Sequence, residues 1–144
     1  MIVHAGLIAL RLDSGWRGIL IQGPSGSGKS DLALRAIGQG FRLVADDRTV
    51  LFLSAGRLFG RAPGPLNGLI EVRGLGVIQT AALDLAPIVL SVQCKITPDA
   101  VERHPEPTFI DLLGAAVPAM DLWSFENSAP AKMSRAIEHL GARP

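Results

Sequence analysis

Short apolar runs separated by polar residues and glycines recur along this chain, the pattern of buried strands and amphipathic helices. Residues 18–22 form an apolar run bounded by glycines and are predicted to be a buried strand. A glycine- and serine-rich loop follows, and residues 29–39 are predicted to be a helix because their apolar positions share one face. The other predicted elements are strands over 3–12, 41–45, 50–53, 58–59, 69–72, 76–79, 88–92 and 117–122, a turn at 13–15, and a final helix over 130–140.

The order of these elements predicts an α/β fold. A strand, a loop, a helix and another strand open the chain, and the later part holds more hairpins than a purely parallel sheet would. The runs at 50–53 and 58–59 flank an Ala-Gly pair and are predicted to form one such hairpin. A length of 144 residues without repeats or a long linker predicts a single domain over residues 1–144.

Composition narrows the class of protein. The chain is 48% hydrophobic and 19% charged, which is typical of a globular domain and excludes a disordered one. Cys94 is the single cysteine, so an intrachain disulfide and a cysteine-rich zinc site are excluded, and a reduced, cytoplasmic setting is expected. The net charge of +1 and the lack of a long apolar run give no indication of a nucleic-acid or membrane partner.

A phosphate-binding motif lies between the predicted strand and helix. The residues match G-x-x-x-x-G-K-[ST] at every fixed position. They are Gly23, Pro24, Ser25, Gly26, Ser27, Gly28, Lys29 and Ser30. Glycines let backbone N–H groups turn toward phosphate oxygens, Lys29 is expected to pair with the β- and γ-phosphates, and Ser30 to ligate Mg²⁺. The alternative is a linker that matches by chance, and the strand and helix on either side argue against it.

The motif does not decide the phosphate acceptor, so further polar residues matter. Asp46 and Asp47 end the strand after the helix, where a parallel neighbour would bring them to the phosphate end of the sheet. Because side chains alternate along a strand, we expect the two aspartates to do different jobs: one could orient a metal or a histidine while the other takes the proton from an attacking hydroxyl. Glu71 and Arg73, two residues apart, are expected to share a strand face and to offer a metal ligand and a cation. Solvated ion pairs are the alternative at both places.

Three segments, taken in their order along the chain, resemble the catalytic domain of HPr kinase/phosphorylase. They are the phosphate loop, L-V-A-D-D-R at 43–48 and I-E-V-R-G-L-G-V-I at 70–78. The resemblance implies a P-loop kinase domain of the HPr kinase/PEP carboxykinase-like type, with a mixed sheet and flanking helices. It also implies that ATP and Mg²⁺ are used to phosphorylate a serine of HPr, a phosphocarrier of the sugar phosphotransferase system. The reverse phosphorolysis and a hexameric assembly are further implications of the same likeness.

The resemblance implies roles for individual residues of this chain only where they match the family's motifs. Lys29 matches the loop lysine, and Ser30 and Glu71 match the two magnesium ligands. Asp47 matches the aspartate that accepts the serine proton, and His4 matches the histidine that supports this aspartate. With Asp47 as the base, alternation along the strand is expected to point Asp46 elsewhere. Arg103 is a weaker match to a catalytic arginine.

The chain also departs from the family pattern. Its first strand begins almost at Met1, which is similar to short members that consist of the catalytic domain alone. Residues 123–130, W-S-F-E-N-S-A-P, replace a Pro/Gly/Arg-rich segment tied to dephosphorylation, and Glu126 is expected to oppose a second phosphate. The competing hypotheses are a small-molecule P-loop kinase, for which no lid is evident, and a non-catalytic ATP-binding regulator.

Overall fold

The computed structural model describes residues 1–13 and 15–142, so Ser14 of the predicted turn lies outside the described residues. Within that part of the chain there are eleven strands and two α-helices. The strands are β1 (Ile2–Val3), β2 (Gly6–Leu12), β3 (Gly15–Gln22), β4 (Arg42–Ala45), β5 (Thr49–Ser54), β6 (Arg57–Arg61), β7 (Leu69–Val72), β8 (Gly76–Gln79), β9 (Ala86–Lys95), β10 (Thr108–Leu112) and β11 (Ala115–Trp123). The helices are α1 (Lys29–Ile37) and α2 (Ala129–His139).

Most strands belong to one mixed sheet in the order β1-β5-β6-β9-β3-β2-β4, with β11 on β9 and β10 on β11. Strands β3, β9 and β11 run parallel, whereas β2 is antiparallel to both β3 and β4. The prediction that β4, the strand before Asp46, lies beside a parallel neighbour at the phosphate loop is therefore wrong, because β2 separates β4 from β3. Because β2 runs in the opposite direction, its first residues reach the same edge as the last residues of β3 and β4.

Both helices pack in one hydrophobic cluster with the sheet. Leu32 and Ala36 of α1 and Met133 and Ile137 of α2 are buried there, against side chains of β3 and β9 such as Ile21. A second cluster contains buried residues of β2, β4 and β9 together with single residues of β3, β5, β6, β10 and β11. Neither helix of the described chain has the length and apolarity needed to span a membrane.

The predicted elements are largely confirmed, including both helices and the hairpin of the runs at 50–53 and 58–59, which the structure extends to β5 and β6. The differences have physical reasons. The predicted strand over 3–12 is interrupted at His4 and Ala5, because β1 pairs with β5 whereas β2 pairs with β3 and β4. Strand β10 was not predicted. It is mostly exposed and gains its strand pairing from β11 alone, so it lacks a strong apolar signal.

Candidate active site

The phosphate loop, residues 23–30, connects β3 to α1 as the motif predicts. Gly26 and Gly28 adopt left-handed φ values of 81° and 85°, and Gly28 is the N-cap of α1. Lys29 Nζ donates to the carbonyls of Gly23 at 2.7 Å and Pro24 at 3.1 Å, which folds its side chain back over the loop. A Cβ at Gly23 would lie 2.5 Å from Ser27 Oγ, so the loop closes only around glycine at this position.

Asp46 connects the loop to the β7–β8 hairpin. Ser30 Oγ donates to Asp46 Oδ1 at 2.7 Å, and the Glu71 backbone N–H donates to Asp46 Oδ2 at 2.9 Å. The expectation that Asp46 points away from the phosphate site is therefore wrong. Strand β4 ends at Ala45, so the alternation of side chains within a strand no longer governs the two aspartates that follow.

Asp47 faces a different partner. Its Oδ1 lies 2.5 Å from His4 Nε2, and the two side chains are 55% and 54% exposed. Asp47 has a left-handed φ of 67°, a conformation that aspartate tolerates better than most residues. His4 precedes β2, and the antiparallel direction of β2 brings it to the edge where Asp47 follows β4.

The loop, both aspartates and Glu71 surround one cleft of about 630 Å³, which His4 does not line but borders through its contact with Asp47. The residues that line it are Ser25, Gly26, Gly28, Lys29, Ser30, Asp31, Leu34, Asp46, Asp47, Glu71, Val72, Arg73 and Phe125. Arg73 lies in the turn after β7 rather than on the strand with Glu71, yet both residues line the cleft. Arg103 does not line it; this residue is exposed in the segment before β10.

One wall of the cleft is formed by Phe125, which lies in the segment 124–126 that follows β11. Ser124 Oγ donates to the Ser27 carbonyl at 2.5 Å, and Arg35 donates to the carbonyls of Ser124 and Glu126. The Glu126 carboxylate accepts from Lys132 Nζ at 2.5 Å. The expectation that Glu126 opposes a phosphate in the cleft is therefore not met, because its charge is paired outside the cleft lining.

Cys94 lies directly beneath the loop. Its side chain is buried, and a Cβ at Gly23 would lie only 3.0 Å from Cys94 Cβ. Burial raises the pKa of the Cys94 thiol from 9.0 to about 11, although Lys29, a hydrogen bond with Ser124 and Arg35 act in the opposite direction. The thiol is neutral at physiological pH.

The sequence profile of the family described as "HPr Serine kinase C-terminal domain" matches residues 3–86, more than half of the chain. The chain belongs to this family. The matched range contains His4, the phosphate loop, both aspartates and Glu71, whereas Arg103 and residues 124–126 lie beyond it.

Individual members of the HPr serine kinase family are similar to this chain over different lengths. The HPr kinase/phosphorylase of Clostridium tetani is 46% identical over 76 residues, covering 53% of this chain and 25% of the relative. That of Clostridium perfringens (strain SM101) is 48% identical over 80 residues, covering 55% and 26%. That of Leptothrix cholodnii is 40% identical over 112 residues, covering 69% and 34%. The chain thus spans a quarter to a third of the length of these relatives.

The solved structure of the Hpr(Ser) kinase/phosphatase from Coxiella burnetii superposes with a TM-score of 0.79 at 26% identity. The match covers 96% of this chain and 89% of that chain. The predicted α/β fold of the HPr kinase type is confirmed by this likeness.

The oxygen ligands at the loop fit a magnesium ion. No cluster of three or more His, Cys, Asp or Glu side chains suited to a metal occurs within residues 1–13 and 15–142. Mg²⁺ does not need such a cluster, because it is usually held by one or two carboxylates, water and substrate phosphates. The Ser30 hydroxyl with Asp46 and the nearby Glu71 offer that kind of oxygen set.

Two residues of this HPr kinase-type cleft, Asp46 and Phe125, have no definite role predicted from the sequence. For Asp46 the signal is its position just beyond the predicted strand 41–45, where the alternation of side chains ends. Phe125 was named only as part of a replaced segment, and no local pattern in the sequence indicates that its ring meets Gly28.

Proposed function

We propose that this chain uses ATP and Mg²⁺ to phosphorylate a serine of an HPr-like phosphocarrier protein, with residues 1–144 acting as one catalytic domain. The main support is that a phosphate loop and an exposed His4–Asp47 pair line or border the same cleft. The names of the relatives, HPr kinase/phosphorylase, suggest the protein acceptor.

The phosphate end of ATP is assigned to the loop. Lys29 would exchange its two neutral carbonyl partners for phosphate oxygens, which form stronger charge-assisted hydrogen bonds. Ser30, Asp46 and Glu71 would hold the metal. Bound Mg²⁺ would neutralise charge on the β- and γ-phosphates.

The proton of the serine hydroxyl is assigned to Asp47. As serine Oγ forms a bond to the γ-phosphorus and the bond to the β-phosphate oxygen breaks, the Asp47 carboxylate takes the proton and ADP leaves. His4 holds Oδ1 of this carboxylate, so Oδ2 stays available. The exposure of both side chains suits an acceptor hydroxyl carried by another protein.

The family resemblance adds a cytoplasmic location and a homo-hexamer to this proposal, with neither nucleic acid nor membrane as a partner. Arg103 stays a weaker candidate for a catalytic arginine; an exposed loop outside the cleft could serve only if it moved or met a neighbouring subunit. Light scattering of the purified chain would test the hexamer, and a monomer at working concentration would contradict it.

The decisive experiment mixes the protein with ATP, Mg²⁺ and HPr and measures phosphoserine by mass spectrometry. We expect phosphate on HPr, none on HPr whose acceptor serine is replaced by alanine, and none with Lys29→Ala, which should also bind ATP more weakly. ATP binding without transfer would favour the non-catalytic regulator. Transfer to a small hydroxyl compound but not to HPr would favour the small-molecule kinase.

A further inference from the structure

Phe125 is an aromatic side chain in the cleft that the proposed phosphoryl transfer does not use. A Cβ built at Gly28 would lie 2.8 Å from Phe125 Cε1, so the ring is in contact with the phosphate loop. The ring is nevertheless 47% exposed and lines the cleft. An exposed ring at this place has apolar surface available to a ligand.

The sheet order assigns the two ends of a bound nucleotide to different sides of β3. Asp46, Asp47 and His4 are carried by β4 and β2 on one side, where the γ-phosphate must meet the base and the metal. Phe125 follows β11, which lies on the other side of β3 beyond β9. A triphosphate with its γ end toward Asp47 therefore directs its nucleoside toward Phe125.

The backbone on both sides of Phe125 is fixed in place. Ser124 donates to the Ser27 carbonyl, and Arg35 of α1 donates to the carbonyls of Ser124 and Glu126. Arg35 is itself held by Asp31 at 2.9 Å. The ring is thus preorganised relative to the loop, which lowers the entropy cost of using it as a binding surface.

We propose that Phe125 is the platform on which the purine base of the nucleotide stacks. This inference rests on the proposed function in one respect only: the loop binds a nucleoside triphosphate. Stacking on an aromatic ring tolerates different bases, because every base has a π-face. Phe125 therefore contributes affinity for the nucleoside without distinguishing adenine from guanine.

The test compares three ligands by calorimetry: Mg²⁺–ATP, Mg²⁺–GTP and Mg²⁺–tripolyphosphate, which has no nucleoside. Phe125→Ala should weaken ATP and GTP by roughly 5- to 30-fold and leave tripolyphosphate within about twofold. Phe125→Leu keeps an apolar contact with the loop but should show most of the same loss of nucleotide affinity. Phe125→Trp keeps an aromatic ring and should bind ATP and GTP as tightly as the unaltered protein. Phe109→Ala is the matched control, since Phe109 is 61% exposed on β10 and does not line the cleft.

An equal loss for tripolyphosphate would overturn the inference, because the ring would then only support the loop. Unchanged affinity for all three ligands in Phe125→Ala would overturn it as well. Binding does not involve HPr, so nucleoside-specific loss without transfer to HPr would sustain Phe125 and refute the proposed kinase. If the unaltered protein binds neither ATP nor tripolyphosphate, the proposed function fails and the inference fails with it.

Discussion

At the residue scale, Asp46 and Asp47 hold different partners although they are adjacent. Asp46 bridges the Ser30 hydroxyl and the Glu71 backbone, whereas Asp47 faces His4. The left-handed backbone of Asp47 and the short 2.7 Å contact between Arg48 N and the Asp46 carbonyl turn the chain sharply here. A left-handed backbone at a residue other than glycine is strained, and such strain is common where a side chain must be held in one direction.

Because the two aspartates have different partners, replacing each by asparagine should impair different properties of the protein. Asp47→Asn should reduce serine phosphorylation by roughly 10²–10⁴ while ATP affinity stays nearly constant, because a base is removed and no phosphate contact is lost. Asparagine also tolerates the left-handed backbone, so the fold should persist. Initial rates of phosphoserine formation and ATP calorimetry measure the two effects. An unchanged rate would mean that Asp47 is not the base.

Asp46→Asn should instead weaken Mg²⁺–ATP by about tenfold, as loss of a charged hydrogen-bond acceptor costs roughly 1.5–3 kcal/mol. Its amide would also present a donor to the Glu71 N–H or to the Ser30 hydroxyl. Affinity for ATP measured in EDTA is the control and should hardly change. Equal losses with and without Mg²⁺ would argue that Asp46 supports the loop rather than the metal.

Cys94 should make the free energy of unfolding depend on pH in the alkaline range. The folded protein keeps the thiol proton to about pH 11, whereas the unfolded chain releases it near 9.0. The unfolded state therefore binds fewer protons between these values, and stability falls as pH rises through this window, by roughly 1–3 kcal/mol. Urea unfolding from pH 8 to 10.5 should show a steeper loss for the unaltered protein than for Cys94→Ala. Parallel curves would contradict the buried neutral thiol.

At the element scale, the elements that depend on local sequence pattern could be predicted, whereas the order of strands in the sheet, which depends on long-range pairing, could not. The strand, loop and helix around Lys29 follow from apolar periodicity and a motif with fixed glycines. The neighbours of β4 do not, because the insertion of β2 between β3 and β4 depends on long-range pairing. His4 could therefore be assigned only by resemblance, and Phe125 could not be placed against Gly28 at all.

The contact between α1 and the segment after β11 depends mainly on Arg35. This side chain is only 28% exposed and bonds two carbonyls of residues 124–126. Arg35→Ala should lower the free energy of unfolding by roughly 1–3 kcal/mol, because two hydrogen bonds to the segment that carries Phe125 are lost. It should also weaken ATP binding, because Phe125 is then held less firmly. Lys132→Ala breaks only the ion pair between Lys132, 51% exposed, and Glu126, 19% exposed, and should cost less, about 1 kcal/mol. Denaturant unfolding and calorimetry compare the two; equal effects would contradict this division.

At the scale of the whole molecule, the cleft has more negative than positive side chains. Within the described residues its lining includes four acidic residues, Asp31, Asp46, Asp47 and Glu71, but only two basic ones, Lys29 and Arg73. The wall after β11 contributes a neutral phenyl ring. This charge balance suits a substrate that arrives with a metal and offers little to a second free polyanion.

The charge balance predicts the direction of the proposed reaction. Phosphorolysis requires inorganic phosphate to attack phosphoserine while Asp47 returns a proton to the serine oxygen, and two polyanions repel unless cations neutralise them. The forward reaction suffers less, since the γ-phosphate is anchored through ATP by Lys29 and the metal ligands. We therefore expect pyrophosphate release from serine-phosphorylated HPr in millimolar phosphate to be much slower than the forward reaction. Phe125→Arg should raise it by adding a cation to the wall. Release by the unaltered protein at a rate close to the forward one would show that Arg73 or a residue outside the cleft supplies the charge.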